Sequence, residues 1–247
     1  MGKPEQPILV GHRGYPARHP ENSLRGFRAA LEAGARAIEC DLQFSRDGQP
    51  MVIHDLTLKR TSGHGGRVVD FPVAELHAIS IHEPERLGAG APEPLPTLAD
   101  LVTLLLDFPE SRLFIEIKDE SFAFFSRAYC LEQILRVAEP LGNAIVIISF
   151  DAEVLELARR KAAIGWVLKH YNAAARRRAE ELSPEFLICN YRKLPPAPVA
   201  FWPGGWQWFV YDIVDWPLAR SLTERGVTCI ETWDIGGMLE KDNAAQS

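Results

Sequence analysis

A chain of 247 residues that is 47% hydrophobic can bury one large core, and its formal net charge of -6 gives it no basic face with which to neutralise a nucleic-acid backbone. No nucleic-acid partner is expected. No apolar run approaches membrane-spanning length, so no transmembrane segment is expected either.

The opening MGKPEQPILV lacks the long apolar core of a signal peptide and has Gln6 where a myristoylation motif would need Ser or Thr. Cys40, Cys130, Cys189 and Cys229 are far apart and form no CxxC pair, which argues against a disulfide framework or a zinc knuckle. A cytoplasmic protein is the expectation. Pro7 to Val10 predict a first strand that ends at Gly11 and delivers His12 and Arg13 side by side. An unpaired buried polar group costs about 1–3 kcal/mol, so these two need partners. ENSLRGFRAALEAG follows, with apolar residues at Leu24, Phe27, Ala30 and Leu31 and a stop at Gly34, the spacing of an amphipathic helix. RAIECDLQF predicts the second strand. After the turn at Asp47 and Gly48, MVIH predicts a short strand ending at His54.

From Asp55 to Pro96 the chain is rich in Gly, Pro and His, with a short helix predicted at VAELHAI; this reads as an insertion above a barrel mouth. Beyond it, strands RLFIEIK, AIVIISF, IGWVLK, EFLICN, QWFVYD and VTCIE alternate with helices at TLADLVTLLLD, SFAFFSRAYCLEQILRVAE, AEVLELARRKA and PLARSLTERG. ARRRAEE, residues 175 to 181, predicts a solvated helix face. Residues 191 to 205, YRKLPPAPVAFWPGG, hold too many prolines for a helix, so the sixth crossover should be irregular. Eight strands with intervening helices predict the α/β class and a (β/α)8 TIM barrel, one domain over residues 1–247, with a small insertion at about 55–96 after the second strand region.

Strand residues two apart share a face. In the second strand that separates Ile38, Cys40 and Leu42 from Glu39, Asp41 and Gln43; in the third it separates Leu113, Ile115 and Ile117 from Phe114, Glu116 and Lys118. With the apolar side against the helices, three carboxylates and a lysine face the barrel interior near its mouth. Crowded acids repel unless positive charge intervenes, which a structural ion-pair network with Arg13 and Lys118 or a divalent cation would supply. The convergence of three acids favours the cation, and all-oxygen ligation favours Mg²⁺ or Ca²⁺ without separating them. His12 and His54 flanking it suit acid and base work, and Arg13 and Lys118 suit an anionic phosphate.

These stretches, with GHRG, PENSLRGF, EAGARAIECDLQFSRDGQPMVIHDLTLKRTSG, PLPTL and IEIK in order, closely resemble the glycerophosphodiester phosphodiesterase family. The resemblance implies an enzyme that cleaves glycerophosphodiesters into glycerol 3-phosphate and an alcohol with one divalent cation. It implies His12 and His54 as the acid–base pair, Glu39, Asp41 and Glu116 as metal ligands, and Arg13 and Lys118 as phosphate contacts. The family chemistry has the substrate's adjacent hydroxyl attack phosphorus, giving a cyclic phosphate that water opens. The partner expected is a small-molecule substrate, with room for a homodimer. The rival readings are a phospholipase-type lyase that stops at the cyclic phosphate, a lysophospholipid phosphodiesterase, a barrel that enolises a carbonyl substrate, and a non-catalytic barrel that binds phosphorylated ligands. The chain departs from the family at YDIVD and ETWD, where Asp212 and Glu231 should alter the pocket on the side away from the acids, touching substrate choice. Trp202, Trp206, Trp208, Trp216 and Trp233 should be mostly core or lid, with one or two free to wall in the alcohol.

Overall fold

The computed structural model describes residues 6–88 and 92–246. Residues 1–5, on which part of the leader-peptide reading rests, lie outside the described residues. Eight parallel strands form the centre: β1 (Ile8–His12), β2 (Ala37–Phe44), β3 (Arg112–Ile117), β4 (Ile145–Ser149), β5 (Ala163–Val167), β6 (Phe186–Asn190), β7 (Gln207–Tyr211) and β8 (Val227–Thr232). Each pairs with the next, and β8 pairs back with β1 from Ile8↔Cys229 to Gly11↔Thr232, which closes the sheet into a (β/α)8 barrel.

Helices α1 (Leu24–Glu32), α2 (Leu98–Leu105), α3 (Arg127–Ala138), α4 (Ala152–Ala158), α5 (Ala173–Leu182), α6 (Trp216–Glu224) and α7 (Ile235–Gln246) surround it. The sixth crossover is irregular as expected: only a single 3-10 turn, Tyr191–Lys193, stands between β6 and β7. The starts are set by side-chain caps. Ser23 accepts from Gly26 N at the head of α1, and Thr97 and Asp100 form a reciprocal capping box on α2, each worth about 1 kcal/mol.

The period of two sorts the strands into two cores. Ile38, Cys40, Leu42, Leu113, Ile115 and Ile117 face outward and join the layer beneath the helices. Inside, Val10, Ala37, Phe114, Val146, Phe186, Phe209 and Cys229 fill the lower barrel. The Phe114 ring meets those of Phe186 and Phe209 edge-on, with centroids 5.1 Å apart in each pair, so aromatic carbon plugs the barrel below the acids.

The segment after β2 pairs one short strand, Pro50–Val52, antiparallel to β2. It ends two residues sooner than MVIH predicts: Ile53 N donates to Asp41 O, and the chain turns so that His54 lies in the bend beyond. The insertion packs Leu58, Val68, Leu76, Ile81 and Leu95 with Met51 and Ile53 into a small core of its own, around the helix Val73–Leu76 and the two-stranded ladder Ser80–Ile81 with Glu93–Pro94. All four cysteines are buried and free. Among the described residues no helix is long and apolar enough to cross a membrane.

Candidate active site

The C-terminal ends of β1, β2 and β3 carry the polar residues of the barrel mouth, the end on which barrel sites are built. At the end of β1 the chain turns sharply. Arg13 takes φ +55 and Gly14 φ +87, and a Cβ at Gly14 would stand 2.8 Å from the backbone of Gly26 and Phe27, so the second glycine of GHRG lets α1 close over the turn. Left-handed backbone at a non-glycine costs on the order of 1 kcal/mol, and hydrogen bonds hold it here. Arg13 N donates to Glu39 Oε2 at 3.1 Å, and Asn22 N donates to Arg13 O at 3.0 Å. Asn22, itself at φ +55, donates through Nδ2 to Asp41 Oδ2 at 2.9 Å.

The Arg13 guanidinium lies between two acids, Nη1 at 3.0 Å from Glu21 and Nε at 2.9 Å from Asp41. Lys118 Nζ stands 2.8 Å from Asp41 Oδ1 and donates to Glu116 Oε1 at 2.8 Å. Burial opposes charge on both bases, yet Asp41 and then Glu21 raise Arg13, and Asp41 and then Glu116 raise Lys118. Burial likewise works against the Asp41 carboxylate, but Arg13 and Lys118 overcome it and hold that carboxyl well below the usual range. Part of the ion-pair reading is thus present. It does not cover Glu39, whose Oε1 is buried without a partner, and burial followed by Asp41 pushes that carboxyl well up.

One donor atom from each of Glu39, Asp41 and Glu116 can be chosen so that all lie within 4.8 Å of one another. Hard oxygen donors and an orphaned buried carboxylate oxygen are what a divalent cation satisfies, so these residues fit one. The charge count agrees. Carboxylates outnumber bases here: Glu39, Asp41, Glu116 and Glu231 are all buried around Arg13 and Lys118, and Arg13 is shared with Glu21 as well.

His12 and His54 both line one cavity of about 190 Å³, with Arg13, Glu39, Glu116, Lys118, Tyr211, Asp212 and Glu231 among its other walls. Burial, then Arg13, lowers the His12 imidazole to about 3 and keeps it neutral. His54 Nδ1 is 2.7 Å from Asp55 Oδ1; an ionised carboxylate only accepts, so Nδ1 carries the proton and Nε2 is the exchangeable nitrogen. Gln43 Nε2 donates to His54 O and Ser121 Oγ donates to Gln43 Oε1, tying the histidine's backbone to the barrel.

All seven residues singled out from the sequence therefore meet at one mouth, and one expectation needs correction. Glu231 is not on the side away from the acids: barrel closure puts β8 beside β1, and Glu231 lies 3.8 Å from His12 Nε2 and clusters with Glu39. None of the five tryptophans lines the cavity. Trp206, Trp208 and Trp216 are buried in the outer core, and the apolar wall is instead Ile148, Phe150, Val167 and Ile188 from β4 to β6 and the turn after β4. Glu21, Asn22, Asp55 and Arg60 were missed as supports. Glu21 and Asn22 sit inside the PENS stretch, and Asp55 directly follows His54, so adjacency was the available signal.

A sequence model described as the Glycerophosphoryl diester phosphodiesterase family matches residues 12–198. The glycerophosphodiester phosphodiesterase of Caldanaerobacter subterraneus subsp. tengcongensis is 36% identical over 118 residues, 45% of each chain. Glycerophosphodiester phosphodiesterase 1 of Homo sapiens is 30% identical over 160 residues, 64% of this chain and 47% of that protein. Matches of this kind span 45% to 61% of the length of the curated relatives. Among solved structures, a phosphodiesterase from Oleispira antarctica in complex with the product sn-glycerol-3-phosphate superposes with a TM-score of 0.80 at 22% identity, covering 98% of both chains. The glycerophosphodiester phosphodiesterase of Thermotoga maritima gives 0.70 at 23%, covering 96% and 99%. At these identities the structural likeness is one of fold.

Proposed function

The chain belongs to the glycerophosphoryl diester phosphodiesterase family, and from that premise we propose that it hydrolyses glycerophosphodiesters to glycerol 3-phosphate and an alcohol, with one divalent cation and two histidines. The observation that carries the reading is the shared cavity: both imidazoles, both bases, Glu39 and Glu116 open onto one space, with Asp41 buried behind Arg13 and Lys118. The Oleispira antarctica structure holds glycerol 3-phosphate, the anion expected here as product.

Glu39, Asp41 and Glu116 would hold Mg²⁺ or Ca²⁺, which when bound supplies positive charge against that building on the phosphoryl oxygens. Arg13, which lines the cavity, offers its guanidinium to the phosphate. Lys118, fixed between Asp41 and Glu116, adds a second charge at the same level. His12, held neutral, takes the proton from the substrate hydroxyl next to the phosphate, and that oxygen attacks phosphorus. His54, backed by Asp55 on Nδ1, delivers a proton through Nε2 to the departing alcohol oxygen as its bond to phosphorus breaks. Water then opens the cyclic phosphate with the two roles reversed, returning both histidines to their starting states. Ile148, Phe150, Val167 and Ile188 offer an apolar wall to the alcohol. The four buried thiols are in keeping with a reducing cytoplasm.

The test is a release assay for glycerol 3-phosphate against several head groups, run in EDTA and with each metal restored. Metal-dependent release supports the reading; no release from any head group under any metal rejects it. The same apolar wall favours, as a second reading, a lyase acting on a lipid-bearing substrate, for which phosphorus NMR would show a cyclic phosphate that persists.

A further inference from the structure

The insertion reaches the supports of the proposed site. Arg60 lies in its first short helix, Lys59–Ser62, and its guanidinium is forked twice. Nε and Nη2 reach Asp55 at 2.7 and 3.0 Å, while Nη1 and Nη2 reach Glu21 at 2.8 and 2.7 Å. Asp55 is the carboxylate on His54 Nδ1, and Glu21 is the one on Arg13 Nη1. Two chains of contact thus run from one guanidinium to two residues of the proposed site.

The anchorage behind Arg60 is buried. Glu83, 4% exposed, accepts from Glu21 N at 2.7 Å, lies 3.7 Å from Arg60 Nη1 and is clamped by Arg86, whose guanidinium also meets the carbonyls of Pro16 and His19. Arg60 itself is 41% exposed in its side chain, where solvent screens ion pairs and fold stability leans on them little. The fixed fork of five donors is what a lysine lacks. A group that contributes little to holding the fold, yet satisfies four carboxylate oxygens on two supporting acids, is placed to orient.

We propose that Arg60 is a positioning residue, delivered by the insertion, that sets His54 through Asp55 and Arg13 through Glu21 and so locks the proton-transferring imidazole and the phosphate contact into one frame. The proposal rests on the phosphodiesterase reading for its kinetic arm only. With glycerophosphocholine as substrate, Arg60→Ala should lower kcat by about 10- to 100-fold, the range seen when an outer support of a catalytic ligand is removed. In a His54→Ala background the same change should cost several-fold less than in the parent, because one of the two residues through which it acts is gone and only the arm through Glu21 to Arg13 remains. A merely structural role would repeat the full loss in both backgrounds, and that result would overturn the proposal. Arg60→Lys keeps the charge without the fork and should retain most of the loss; full activity in it would also overturn the proposal. Imidazole ¹H–¹⁵N NMR reads the geometry without turnover. The Nδ1–H signal of His54, shifted downfield by Asp55 in the parent, should move in both variants, and an unmoved signal would overturn the proposal. A parent that cleaves no diester but whose His54 signal responds to Arg60 would reject the phosphodiesterase reading and leave the positioning role upheld.

Discussion

His12 Nε2 stands 3.8 Å from the carboxylate of Glu231, its neighbour across the seam where β8 meets β1. Ile213 N donates to the Glu231 backbone carbonyl at 3.2 Å, while burial, followed by Glu116, pushes its carboxyl well above the usual range. The folded state therefore holds this proton more tightly than the unfolded chain does. Stability from that proton is fully present below the unfolded value, near pH ~4.3, and is lost as pH rises toward the folded value. Glu231→Gln removes the penalty. In EDTA its melting temperature should match the parent near pH 4 and exceed it by about 2–4 °C at pH 8, the shift expected of about 1 kcal/mol in a chain this long. Differential scanning calorimetry at both pH values checks this, and a gain that is equal at both would place its cause elsewhere.

His12→Ala and His54→Ala should each lower turnover of glycerophosphocholine by roughly 10² to 10⁴ with the fold intact. Steady-state rates beside circular dichroism melts decide it. A variant with near-normal rates removes its histidine from proton transfer.

EDTA should abolish activity, and Mg²⁺ or Ca²⁺ should restore it. Glu39→Ala, which deletes the orphaned buried oxygen, should not recover at metal concentrations that saturate the parent. Calorimetric titration with each ion gives a second readout, and unchanged metal affinity in Glu39→Ala would exclude that carboxylate as a ligand.

Arg13→Lys keeps one positive charge but cannot reach Asp41, Glu21 and a phosphoryl oxygen together. The expected loss in kcat/KM is about 10²-fold, in the range for a removed oxyanion donor. Affinity for glycerol 3-phosphate, measured by product inhibition, should fall with it.

A diester whose alcohol-bearing phosphate lacks a neighbouring hydroxyl should not be cleaved, because the internal nucleophile is missing. Phosphorus NMR during turnover of glycerophosphocholine should show the cyclic phosphate rise and decay. Rapid cleavage of the deoxy analogue would point to direct attack by water.

Much of the site was legible because its signals are local. Alternation along β2 and β3 is enough to turn Glu39, Asp41, Glu116 and Lys118 inward, and the glycines flanking His12 and Arg13 announce the turn that follows β1. What escaped depends on contacts between distant parts of the chain. The nearness of Glu231 to His12 follows from barrel closure, which brings residues 219 positions apart in sequence onto adjoining strands. The Glu21–Arg60 and Glu21–Glu83 contacts cross 39 and 62 positions, and nothing in a period of two or of 3.6 encodes them. The tryptophans, read mostly as core or lid, cluster in sequence because the irregular sixth crossover packs against β7, as where Trp202 meets Trp208.

The phenyl rings of Phe114, Phe186 and Phe209 fill the barrel interior below the acids, so in the proposed reaction the diester and both products would use the mouth at the histidines. Of the two products expected there, only the phosphate-bearing half would carry the charge that Arg13 and Lys118 hold. Accumulated glycerol 3-phosphate should then compete directly with incoming diester, while the alcohol product should inhibit only weakly.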